Sequence, residues 1–330
     1  SPLGSWRIGA DDETAVSVLE GLEKYDQNRY TYSKGADVVT GETSFTRELK
    51  INTTDKSGFS EAISAAKSAT VVIMVLGEHG LQSGEARSRT RLDLPGVQQE
   101  LLEEVYKVNK NIVLVLQNGR PLALPWADEH IPAIVEAWHL GTESGNAIAE
   151  VLYGDYNPSG KLPMTFPRHV GQVPIYYNQK STGRPSLPSP GEVFWSHYID
   201  EENSPLYPFG YGLSYTTFDF KNLEIENTYA EDDSISVSVK ITNTGNRKGK
   251  STVQLYIKDE FASVTRPVRE LRSFKQVELK AGESQKITFQ LTDNDLGFYN
   301  NTGKFTVEEG SFQVFVGEDS QAELSGKFEL

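Results

Sequence analysis

Two glutamates, Glu78 and Glu85, lie in the stretch GEHGLQSGEARSR, residues 77 to 89, directly after the apolar run Val71-Val72-Ile73-Met74-Val75-Leu76. A loop leaving the C-terminal end of a buried strand is where open α/β sheets bind ligands, and carboxylates there are candidates for general acid–base work. Glu78 follows the strand end at once, so its side chain belongs at the loop base, where a carboxylate accepts backbone N–H bonds or pairs with an arginine. That position reads as structural. Glu85 sits mid-loop between Gly84 and Ala86 and can project into a partner cleft, which suits a general acid that reaches its substrate as the cleft closes. The competing reading of Glu85 is a solvated surface glutamate. Arg87 and Arg89 would lower the pKa of Glu85 if they paired with it, so a proton donor here requires them to point elsewhere. His79 shares the loop and, with Arg89, is a candidate substrate contact.

Other chemistries fail on residue type or spacing. No G-x-x-x-x-G-K-[ST] loop and no G-x-G-x-x-G fingerprint follows a strand. GTESG, residues 141 to 145, places its serine fourth rather than third, unlike a nucleophile elbow, and reads as a glycine-rich turn into a helix capped by Thr142 or Glu143. The five histidines, His79, His130, His139, His169 and His197, have no zinc spacing, and cysteine is absent, which removes thiolate chemistry. No metal and no cofactor is called for. With 32 basic and 46 acidic residues the net charge is -14, which disfavours nucleic acid or an anionic membrane as partner. The opening SPLGSWRIGADDE lacks the basic and apolar regions of a signal peptide, and no apolar run reaches the roughly 18 residues that span a bilayer.

The elements that must position the glutamates follow from periodicity. At 330 residues the chain is expected to hold roughly two domains. Residues 1–165 alternate helix-like and strand-like segments: helices over 13–25, 57–69, 94–109 and 143–154, strands over 71–76, 111–119 and 133–141. This argues for a mainly parallel sheet covered on both faces. Residues 166–212 are dense in Pro, Gly, Ser and aromatics; a free linker would not carry so many Tyr, Phe and Trp, so an ordered strap laid over both domains is expected. Its Trp195, Tyr198, Tyr207, Phe209 and Tyr211 are candidates either for stacking on the flat apolar face of a ligand or, with more weight, for gluing the domains together. Residues 213–330 alternate with period two, as in Ile235, Val237, Val239 and Ile241, with turns roughly every ten residues. That is the pattern of an immunoglobulin-like or fibronectin type III sandwich. Two N-x-[ST] sequons, at Asn52 and Asn300, are short enough to arise by chance.

The motifs VVIMVLGEHGLQSGEARSRTRLDLPGVQQELL, VLVLQNGRPLALPW, IVEAWHLGTESGNAIAEVLYGDYNPSGKLPMTFP and PLYPFGYGLSYTTF, in this order and spacing, resemble the C-terminal part of glycoside hydrolase family 3, and the likeness runs over residues 3 to 330. The resemblance implies an (α/β)6 three-layer sandwich followed by a fibronectin type III-like β-sandwich, with the family's N-terminal (β/α)8 barrel missing. It implies retaining, exo-acting hydrolysis of terminal β-D-glucosyl residues in a periplasmic or secreted protein, with β-glucosides or gluco-oligosaccharides as substrates. It places the acid/base on Glu85, mapped by the strand-Gly-Glu start and the Glu-Ala-x-Ser-Arg that follows, and the aspartate nucleophile in the barrel. This chain has no Asp-Trp dipeptide and no room for a barrel of about 250 residues before the sandwich domain.

Three expectations follow. The chain alone is inactive, because Glu85 supplies one of the two carboxylates that retaining hydrolysis needs. The Glu85 loop is disordered or misplaced without the barrel. A sizeable apolar patch lies near residues 77 to 93, seeking a partner. The alternative function, from another class, is a non-catalytic carbohydrate-binding or structural module.

Overall fold

A computed structural model describes residues 2–7, 11–26, 29–184, 193–232 and 234–330. The chain divides into two compact units, residues 1–156 with 168–171, and residues 157–167 with 172–330. Among the described residues neither unit contains an eightfold barrel.

The first unit is built on three parallel strands, β1 (Val72–Gly77), β2 (Ile112–Gln117) and β3 (Ala133–Glu136), in the order β1-β2-β3. Side chains alternate across the sheet. Ile73, Val113, Val115 and Val135 turn to one face and pack with Val18 and Leu22 of α1 (Val18–Glu23) and Ile148 and Ala149 of α5 (Ser144–Tyr153). Met74, Ile112, Leu114 and Leu116 take the other face, all buried, where α2 (Phe59–Ser68) packs on α3 (Gln98–Val108) and α3 lies against β1. A short α4 (Pro125–His130) begins with proline, whose fixed φ suits a first turn. The result is helix, sheet, helix.

Element ends follow local chemistry. α1 starts at residue 18 because Ser17 caps it: the Ser17 hydroxyl accepts from the Glu20 amide at 3.2 Å, and the Glu20 carboxylate accepts from the Ser17 amide at 2.7 Å. α3 begins only at Gln98, since Gly96 adopts φ +68°. β3 is shorter than its apolar run suggests, because Trp138 turns the chain with φ +49°. Ser144 of GTESG is the buried first residue of α5, and its hydroxyl accepts from Gln117 Nε2 at 3.4 Å. Asn52, in one sequon, is buried; its Nδ2 donates to the carbonyls of Asp37 and Asp55, both at 2.9 Å, and its Oδ1 accepts from the Asp55 amide at 2.8 Å.

The second unit is an antiparallel sandwich. One sheet joins β4 (Phe218–Asn227), β5 (Ile235–Asn243) and β8 (Ser284–Leu291). The other joins β12 (Leu324–Glu329), β11 (Ser311–Gly317), β6 (Gly249–Asp259) and β7 (Glu270–Leu279). A two-residue ribbon, β9 (Phe298–Tyr299) and β10 (Phe305–Thr306), lies beside them in sequence. Ile235, Val237, Val239 and Ile241 meet Val253, Leu255, Val314 and Phe289 in one core, as their period of two requires. The aromatics of residues 172–212 join this unit: Tyr177 stacks on Phe209 at 4.3 Å and meets Tyr256 edge-on at 5.8 Å, while Tyr207 stacks on Tyr211 at 5.5 Å. Tyr198 is exposed and Trp195 half-buried. No helix among the described residues is long and apolar enough to cross a membrane.

Candidate active site

The C-terminal ends of β1, β2 and β3 share one edge of the parallel sheet, and the glutamate loop leaves from there. Gly77 ends β1 with φ +134°, a backbone region open to glycine. A Cβ at this position would stand 2.1 Å from the Gln117 carbonyl of β2. Gln98, at the start of α3, clamps the departure point: its Oε1 accepts from the Gly77 amide at 2.9 Å and its Nε2 donates to the Gly77 carbonyl at 2.8 Å.

Glu78 is fully buried and wholly engaged. Its Oε1 pairs with Arg89 Nη1 at 2.8 Å and Arg120 Nε at 2.9 Å, and its Oε2 accepts from the Gly119 amide at 3.2 Å. A buried carboxylate requires such pairing, since its desolvation is otherwise uncompensated. His79 turns back on its own loop, with Nδ1 accepting from the Leu81 amide at 3.1 Å, which puts the proton of a neutral ring on Nε2.

Glu85 is exposed. It occupies a tight turn in which the Arg87 amide donates to the Gly84 carbonyl at 3.3 Å, with Gly84 at φ +138° and Ala86 at φ +57°. Gly84 packs on buried Ser5, whose Oγ would lie 2.2 Å from an added Cβ. Among the described residues the Glu85 carboxylate makes no hydrogen bond or ion pair. The neighbouring arginines point away from it. Arg87 donates to the carbonyls of Leu81 and Phe45, each at 2.6 Å, and Arg89 divides its guanidinium between Glu78 and the Asp93 carbonyl at 2.9 Å. Arg89, expected among substrate contacts, is thereby occupied within the protein.

The loop has a defined shape here, with carbonyls on both sides of Glu85 held by Arg87 and Arg120. Residues 77 to 93 themselves expose no large apolar side chain. The loop is glycine, serine and charge apart from a few residues such as Leu81, which is buried. The exposed aromatics beside it are Trp6 and Phe45, in edge contact at 5.9 Å, with the Arg87 guanidinium 5.3 Å from the Phe45 ring centre.

Other residues at this edge escape sequence reasoning because long-range contacts define them. Arg120 Nη2 donates to the carbonyls of Gln82 and, at 3.0 Å, Arg87. Asn118, wholly buried, donates to the Arg120 carbonyl at 2.9 Å and to Glu136 Oε2 at 3.3 Å. Glu136 also accepts from the Trp138 amide at 3.1 Å. Burial pushes its carboxyl up to about 8, and the nearby Glu78 charge adds to the rise against the two hydrogen bonds. The only prior signal for these residues is a polar type at the end of an apolar strand. No cluster of three or more metal-ligating side chains exists among the described residues.

Residues 1–215 match the glycosyl hydrolase family 3 C-terminal domain. The chain belongs to glycoside hydrolase family 3. Residues 251–320 match a fibronectin type III-like domain. A periplasmic beta-glucosidase of Salmonella typhimurium is 43% identical over 99% of this chain and 44% of its own length. A beta-xylosidase of Formosa agariphila is 42% identical over 93% of this chain and 40% of its own. The crystal structure of a Listeria innocua beta-glucosidase in complex with glucose superimposes with a TM-score of 0.87 at 36% identity, covering 100% of this chain and 44% of that one. The chain thus spans less than half the length of these family 3 relatives.

Proposed function

We propose that this chain is the C-terminal part of a retaining, exo-acting β-glucosidase that removes terminal non-reducing β-D-glucosyl residues, with Glu85 as its acid/base. The observation that carries the reading is the state of Glu85: an exposed carboxylate in a fixed turn, with no cation paired to it. A cation there would favour the ionised form and oppose proton donation. In a retaining reaction the two carboxyl groups stand about 5 to 5.5 Å apart: the second attacks the anomeric carbon while the acid protonates the leaving oxygen and then, as base, activates water. In this reading that nucleophile is an aspartate of a barrel domain or chain, which also holds the sugar, and the protein works in the periplasm or outside the cell. The proposed domain limits are 1–165, 166–212 and 213–330. His79, beside the turn, is kept as a proposed substrate contact.

The test is turnover of aryl β-glucosides and β-xylosides by the chain alone and with its barrel, for the wild type and Glu85→Gln. The expected result is an inert chain alone and, with the barrel, glucoside turnover that falls about 10²- to 10⁴-fold in Glu85→Gln. Equal turnover by both proteins overturns the assignment. Glu85-dependent turnover by the chain alone would place the nucleophile within these residues and overturn the two-part account.

A further inference from the structure

We propose that Arg120 is the positioning residue of the Glu85 turn, and that buried Glu78 serves to hold Arg120 in place. The inference rests on Glu85 as acid/base and goes beyond it, since it assigns what aims that carboxylate. The geometry forms one connected path. Glu136 and the Arg120 carbonyl share the Asn118 side-chain amide, at 3.3 and 2.9 Å, which sets the backbone of the β2 exit. From there the Arg120 side chain, four-fifths buried, sets its Nε 2.9 Å from Glu78 Oε1 as an ion pair, without the alignment of a hydrogen bond. Its Nη2 donates to the carbonyls of Gln82 and Arg87, which bracket the turn on either side of Glu85.

A planar guanidinium can face a carboxylate with one edge and two carbonyls with another. An ammonium on a flexible stem has no such fixed fork. Glu78 neutralises the cation, so the staple has no need of Glu85 for charge balance and leaves that carboxylate unpaired. Arg87 acts from the other direction, tying Leu81 and Phe45. Removing Arg120 frees the carbonyls of Gln82 and Arg87 together, so the turn loses its hydrogen bonds to the end of β2 and keeps the packing of Ser83 on Gly119.

The experiment uses Arg120→Lys, which keeps a charge for Glu78 but not the fork, with Arg120→Met as second variant. The first readout is hydrogen exchange of peptides covering residues 80–88 in the chain as it stands. Exchange is expected to rise roughly tenfold or more in both variants while peptides of β2 stay unchanged, because charge-assisted bonds to the turn are lost. The second readout, with the barrel present, compares phenyl β-glucoside, whose leaving group needs a proton, with dinitrophenyl β-glucoside, whose leaving group does not. The expected fall in kcat/KM is about 100-fold on the first and only a few-fold on the second. Unchanged exchange, or an equal loss on both substrates, overturns the proposal. Glu85→Gln, run alongside, isolates the other reading: full activity on phenyl β-glucoside removes the acid/base assignment, and the exchange result still decides whether Arg120 holds the turn.

Discussion

The Glu78 carboxylate and the Arg120 guanidinium meet at 2.9 Å at the sheet edge, with Arg89 on the same carboxylate oxygen at 2.8 Å. One buried anion thus organises two cations, and each cation ties down a different stretch of the loop that carries Glu85. The two glutamates of the loop divide the work: one is wholly engaged by the protein and the other is left to the solvent side.

Breaking this centre is costly. Glu78→Gln leaves largely buried Arg120 without its counter-ion and Arg89 with Asp93 at 3.6 Å, and removing one member of a buried pair costs about 3–5 kcal/mol. Chemical denaturation is expected to show a lower midpoint with an unchanged slope for Glu78→Gln, and no shift for Glu85→Gln. Equal midpoints for the two variants would contradict the division of roles.

Glu136 gives the fold a pH dependence of definite sign. The unfolded carboxyl titrates near 4.5 and the folded one near 8, because burial disfavours its charge. Between those values the folded state keeps a proton that the unfolded state has lost. Stability therefore falls as pH rises through this window, with a contribution approaching about 1.4 kcal/mol per pH unit. Glu136→Gln, which cannot ionise, is expected to flatten that part of the profile. An unchanged profile in urea melts from pH 5 to 8 would show that another group sets it.

Gly77 is the tightest point of the loop base. Gly77→Ala puts a methyl into the Gln117 carbonyl and forces φ +134° on a residue with a side chain. A strained backbone conformation alone costs of order 1–3 kcal/mol, and the clash adds to it. The expected outcome is a thermal midpoint several degrees lower, with faster proteolysis within residues 78–93. A wild-type melting curve would mean that the β1–β2 contact yields more readily than its geometry implies.

Much of this was legible in the sequence, for identifiable reasons. The strand before Gly77 shows as an unbroken apolar run because it is buried within a parallel sheet, and the sandwich shows as strict alternation because each strand has one core face. The paired, buried state of Glu78 was legible from its place at a strand end, whereas position left Glu85 open between a proton donor and a surface residue, and only the resemblance favoured the first. Gln98, Arg120 and Glu136 were not legible, because each acquires its role from a partner distant in the chain, and no local pattern distinguishes a clamping glutamine from a surface one. The expectation of apolar surface near the loop came from the resemblance, and the exposed aromatics there, Trp6 and Phe45, lie outside residues 77 to 93.

Asn52 carries a consequence for how the protein is made. Its amide nitrogen is tied to the Asp37 and Asp55 carbonyls inside the fold, yet Asn52-Thr53-Thr54 has the pattern that a eukaryotic oligosaccharyltransferase accepts in a nascent chain. Attachment there would precede closure of the surrounding loops, replace one of the two N–H donors and put a sugar where the side chain is buried. In a eukaryotic secretory host, folding yield would therefore hinge on a hydroxyl at Thr54 that a Thr54→Val substitution deletes.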